Sequence, residues 1–146
     1  MDTKRSWPAR LLIGLVLLWN VQCALAFLGR TEVYVAGFEL AGISGETMVR
    51  GVGLLFLMWN VPYLLAAWRP RRYRVSLIET ICMQTLGLVG ETVLLLFLPQ
   101  GHAPLRATAT RFILFDGVGL VLLVAAAGLS AEPPRRPRAG RTDAGL

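Results

Sequence analysis

SLIETICMQTLGLVGETVLLLFL, Ser76 to Leu98, is long and apolar enough to cross a bilayer. It nevertheless carries Glu79, Gln84 and Glu91, which are costly inside hydrocarbon. At about 100° per residue, Ser76, Glu79, Thr80, Gln84, Gly87, Gly90 and Glu91 fall on one stripe roughly 140° wide. The opposite side is Leu77, Ile78, Ile81, Leu88, Val89, Val93, Leu95 and Leu96. The stretch therefore reads as a helix with one side for lipid and one for protein. A mid-helix charge costs about 2.5–3.5 kcal/mol on insertion scales, and each Leu, Ile, Val or Phe returns about 0.3–0.6. Twelve such residues between Leu77 and Leu98 carry one deep carboxylate with little margin.

Three further apolar runs flank this one. Leu11–Leu28 follows a basic head with Lys4, Arg5 and Arg10, and contains Asn20 and Gln22. It reads as a first span. The competing reading is a signal peptide covering residues 1–26, with Ala24-Leu25-Ala26 as the cleavage site. Met48–Trp68 is the second span, with Asn60 and Pro62 inside it. Pro62 removes a backbone donor and exposes a carbonyl near Met58, which the Asn60 amide is placed to cap. Ser76–Leu98 is the third span, and Thr108–Ser130 is the fourth, carrying Arg111 and Asp116.

Between the first two spans lies Gly29–Thr47, acidic through Glu32, Glu39 and Glu46. Its TEVYVAGF segment, Thr31–Phe38, has the β-branched and aromatic content of a short strand or interfacial piece. Gly37, Gly42 and Gly45 argue against a long helix there. The tail beyond Ala131 is rich in Pro, Arg and Gly, which predicts disorder over 132–146.

Composition and charge agree with a membrane protein. The chain is 55% hydrophobic and 16% charged, against about 25% charged in soluble domains. Lys and Arg fall in short runs between the spans, with no basic face of interleaved aromatics, so nucleic acid is not a predicted partner. Eleven lie in the head, the Arg69–Arg74 loop and the tail, against three at the other ends of the spans, Arg30, Arg50 and Arg106. That asymmetry predicts both termini on the cytoplasmic side. Cys23 and Cys82 both lie in apolar segments and read as packed thiols. With no CxxC and the single histidine His102, no zinc or haem ligand set is predicted, no other cofactor, and no catalytic set.

The fold class is therefore all-α: an integral four-helix membrane bundle over residues 1–131. A bacterial-type inner membrane is the expected location. The bilayer is the partner, with a homo-oligomer or a membrane subunit as the other candidates.

Intramembrane ionisable groups are the place to look for function. Counting depth along the spans puts Glu91, Arg111 and Asp116 in one outer layer, with Arg111 paired to Glu91 and Asn20 or Gln22 completing it. Glu79 lies near the arginine loop at the other end, and Gln84 is left facing the bundle with Asn60 as its nearest partner. The sequence reads first as a scaffold or accessory subunit built around this layer; the alternative is a proton-coupled carrier or channel component, and the second alternative a membrane enzyme acting on a lipid or isoprenoid. The four-span arrangement resembles small four-helix bacterial membrane proteins of the DoxX-like kind, in architecture alone.

Overall fold

The computed structural model describes residues 6–131; the predicted disordered tail lies outside them. Five helices follow in order: α1 Trp7–Gly29, α2 Thr31–Val35, α3 Gly42–Trp68, α4 Arg74–Phe97 and α5 Ala103–Ser130. A 3-10 turn, Ala36–Phe38, follows α2. All four long helices are long and apolar enough to cross a membrane, so the chain is a multi-pass membrane protein of all-α class. Their outer faces are rows of exposed Leu, Val, Ile and Met, among them Leu11, Leu15 and Leu18 on α1 and Leu54, Met58 and Val61 on α3. Apolar side chains facing outward along every helix are what a lipid solvent requires, because each helix satisfies its own backbone.

Each long helix begins before its sequence-predicted span, and α4 ends one residue short of it at Phe97. α1 and α5 both begin with proline in the first turn, Pro8 and Pro104, where the missing N–H has no helical partner to lose. α3 runs unbroken through Pro62. The Asn60 amide caps a carbonyl, as anticipated, but it donates to Phe56 O at 2.6 Å and not to Met58.

The connector differs most from expectation. Thr31–Phe38 is helical, not extended, and Gly42–Thr47 is the first part of α3, not loop. β-Branched content yields here to packing. Thr31 donates its hydroxyl to Phe27 O at 2.8 Å, joining α2 to the end of α1. Helical spacing then turns Tyr34 and Phe38 onto Phe27. Glu39, in the left-handed region at φ 54°, ends the turn.

The helices form a ring in which α1 packs on α3, α4 on α5 and α1 on α5; the α3–α4 seam is the loosest. Two apolar clusters close the bundle. One, toward the chain termini, gathers Ala9, Ile13, Val16, Ala66, Leu77, Leu123 and Ala126. The other, toward the connector, gathers Phe27, Val35 and Val49 with Phe56 and Phe112 against them. Cys23 is half-buried, but Cys82 is exposed on α4, so only Cys23 is the packed thiol expected.

Candidate functional site, a polar cleft at the α3–α4 seam

Between the two apolar clusters lies a cleft of about 260 Å³ lined from all four long helices. Its polar side chains are Asn20 from α1, Asn60 and Tyr63 from α3, Gln84 and Glu91 from α4, and Asp116 from α5. A chain of hydrogen bonds crosses it. The Tyr63 hydroxyl donates to Gln84 Oε1 at 2.6 Å, and Gln84 Nε2 donates to Asp116 Oδ1 at 2.9 Å. Asn20 adjoins the Tyr63 hydroxyl. Gln84 and Tyr63 are buried, so each bond replaces a costly unsatisfied group.

Two glycines let the polar side chains approach so closely. A Cβ on Gly87 of α4 would lie 2.1 Å from Asp116 Oδ2, and one on Gly119 of α5 would lie 2.5 Å from Gln84 Nε2. Each helix thus leaves out a side chain where the other inserts a polar one. This is close packing of small residues with polar groups joining the helices.

The network stops short of completion. Among the described residues, Glu91 Oε2 and Asn60 Oδ1 are buried without a protein hydrogen-bond partner. Both residues line the cleft, and no residue lining it is basic. Glu91 also borders a neighbouring apolar cavity of about 350 Å³, which shares Phe56, Leu94 and Phe112 with the cleft and reaches Phe38 and Leu98 toward the connector.

Among the residues singled out from sequence, the cleft gathers Asn20, Asn60, Gln84, Glu91 and Asp116. It leaves out Arg111, Gln22 and Glu79. Among the described residues no ion pair joins Arg111 to Glu91. Arg111 is exposed and lines a separate groove with Trp19, Cys23 and Phe27, on the α1 side of α5. The reason is angular: Arg111 and Asp116 are about 140° apart on their helix, so when Asp116 enters the cleft Arg111 turns out of it. Gln22 and Glu79 are exposed.

Depth explains the rest. α5 starts at Ala103, not Thr108, so Asp116 lies thirteen residues in, about 20 Å at ~1.5 Å per residue. Gln84 lies equally far from the end of α4 at Phe97. The two therefore meet, whereas the shorter span had placed Asp116 level with Glu91. Tyr63 was not foreseen. The available signal was its position three residues after Asn60, on the same face of a spanning helix.

The connector covers the adjoining cavity. Thr108 Oγ1 donates to Gly37 O at 2.7 Å. His102 Nδ1 bonds Glu39 Oε2, and the Leu105 amide points at Glu39 Oε1. The His102 hydrogen bond, aided by the Leu105 amide, holds the Glu39 carboxyl below its ordinary range. A lowered carboxylate value means stability present above the unfolded value, about 4.3, and lost as pH falls through the folded one. Protection against hydrogen exchange over residues 36–41, taken relative to the intrinsic rate at each pH, is therefore expected to fall on acidification below about pH 4.3. In Glu39→Gln it is expected to be low at neutral pH with no further acid step; an acid step that survives in the variant would contradict the latch.

Comparison with protein-family models, curated proteins and solved structures finds no match to the chain. The functional reading rests on the cleft itself.

Proposed function

We propose that the protein is a proton-handling carrier or channel component of a cell membrane, with Glu91 as the proton-bearing group and Asp116 held ready beside it by Gln84. The observation that carries this reading is the unfinished network: Glu91 Oε2 and Asn60 Oδ1 are buried and unpartnered in a cleft with no basic residue. A scaffold or accessory subunit, the leading alternative, gains most from a fully satisfied polar layer, because a half-satisfied one costs more than apolar packing. Two carboxyl groups in a medium of low dielectric need a balancing positive charge, and where the lining has no basic side chain to give it, a proton on one carboxyl does so. The lipid- or isoprenoid-directed enzyme has less in its favour, since no nucleophile–base pair lines the cleft.

Infrared spectroscopy of the purified protein tests the reading. A carboxylic-acid C=O band at neutral pH, lost in Glu91→Gln, is expected; a wild-type spectrum without that band would remove it. The distribution of Lys and Arg supports both termini on the cytoplasmic side of a bacterial-type inner membrane. A reporter fused after Leu146 and active only outside the cytoplasm would reverse that orientation. A cleft lined from all four helices of one chain needs no second copy to be complete, although an oligomer or partner subunit is compatible with it.

A further inference from the structure

Resting on the proton-handling reading, we infer that the cleft receives a compact organic monocation with N–H donors: a protonated amine carrying an apolar or aromatic body. Three independent features of the cleft converge on that chemistry. The first is its surplus of acceptors. Asn60 is 6% exposed, its amide N–H₂ is engaged by Phe56 O, and its Oδ1 stands buried without a donor. Glu91 Oε2 is in the same state. A ligand that satisfies both must donate hydrogen bonds. An anion or a pure acceptor would leave both oxygens orphaned and add a third.

The second feature is charge. The lining holds two carboxyl groups and no base, so a cation is the complement. On entry the ammonium replaces the proton of the empty cleft, and that proton leaves to water. The charge of the site is the same before and after, which is the condition for exchange inside a bilayer at low cost.

The third feature is the wall. Phe56, Trp59, Phe112 and Phe115 line the cleft beside the carboxyl groups. Aromatic faces attract ammonium groups and hold an apolar body equally well. Trp59 is half exposed and stands at the rim, where a ligand arriving from the lipid phase first meets the protein. The volume, about 260 Å³, falls just below the usual range of ligand sites, roughly 300–1,000 Å³. That size favours a single-ring amine over a lipid.

Three probes with one phenethyl body separate the contributions: phenethylammonium, its bulkier N,N,N-trimethyl analogue, and neutral propylbenzene. Binding is measured calorimetrically on the full chain in detergent. Phenethylammonium is expected to bind saturably with release of a proton. The trimethyl analogue is expected to bind several-fold more weakly, and propylbenzene is not expected to compete. Glu91→Gln should weaken phenethylammonium at least about 30-fold, the low end for removing one partner of a buried charge pair. Trp59→Leu, at a half-exposed position that folding tolerates, should weaken it about 2- to 30-fold. Asn60→Ala should reduce the preference for the ammonium over its trimethyl analogue, since Glu91 remains as an acceptor, while keeping the preference for either over propylbenzene.

Absence of saturable amine binding would overturn the inference. So would equal binding of the neutral probe, equal binding of the trimethyl analogue to the wild type, or an affinity untouched by Glu91→Gln and Trp59→Leu. Binding of sodium in place of the amine would overturn it as well. If the amine fails while the Glu91-dependent carboxylic-acid band is present, the ligand class falls and the proton-handling reading stands. If the band is missing too, both fall.

Discussion

Gly87→Ala is expected to destabilise the protein by about 2.5–6 kcal/mol, the sum of overpacking at ~1–3 and the loss of a charged hydrogen bond at ~1.5–3. The added methyl would occupy a point 2.1 Å from Asp116 Oδ2. Asp116 has one methylene between its backbone and its carboxylate, so it cannot swing clear without leaving Gln84. Either α4 and α5 part or the Gln84–Asp116 bond breaks. Gly90, one turn further along α4, is the internal control: a Cβ there meets nothing within 4 Å. Gly90→Ala is expected to be neutral, or stabilising by up to ~1 kcal/mol, because alanine holds a helix better than glycine. Unfolding titrations in mixed micelles measure both. Equal effects at the two positions, or a larger loss at Gly90, would contradict the interlocked α4–α5 packing.

The second large effect is at Gln84. Gln84→Leu removes the acceptor of the Tyr63 hydroxyl and the donor to Asp116 in one step. Asp116 is left without that donor, at about 1–3 kcal/mol, and the Tyr63 hydroxyl exchanges a 2.6 Å bond for its long 3.4 Å contact to Thr80 O. A loss of about 2–4 kcal/mol is expected, with membrane context pulling toward the low end, since interhelical polar pairs in bilayers couple by only ~0.6 kcal/mol on average. The double variant Gln84→Leu with Asp116→Leu should recover part of the loss, because it removes the stranded carboxyl along with its partner. A coupling of about 1–2 kcal/mol between the two positions is expected, near the upper measured range. Strict additivity would show that the 2.9 Å contact contributes nothing.

Hydropathy made the four spans legible, because lipid leaves a helix few ways to hide its polar groups. The polar stripe on Ser76–Leu98 was legible for the same reason, and four of its members, Gln84, Gly87, Gly90 and Glu91, do line the cleft. The connector was misread because the sequence of Thr31–Phe38 favours extended structure taken alone, while Phe27 and Phe112 make the helical spacing of Tyr34 and Phe38 productive. The partners within the polar layer were harder to read. Depth along α5 depended on where the helix starts, and the five residues before Thr108 looked like loop. Direction around the axis depended on how α5 is rotated against α4. Once Asp116 occupies the space beside Gly87, Arg111 faces the other way. No feature of the Arg111 neighbourhood in the chain indicates that rotation; it is set by which helix leaves room for which side chain.

Asn60 illustrates the same limit from the other side. Its amide was expected to cap a carbonyl, and it does. Its oxygen is buried without a protein partner among the described residues, and that makes a structural asparagine part of a candidate ligand site.

The central claim is that Glu91 belongs to a cleft without a cation and carries a proton when the cleft is empty, while Arg111 plays no part in balancing it. The infrared spectrum of three proteins at neutral pH, wild type, Glu91→Gln and Arg111→Gln, tests it most directly. A carboxylic-acid C=O band present in wild type, unchanged in Arg111→Gln and absent from Glu91→Gln is the predicted result. A wild type without the band that gains it in Arg111→Gln would show an ion pair between Arg111 and Glu91, and would contradict the account.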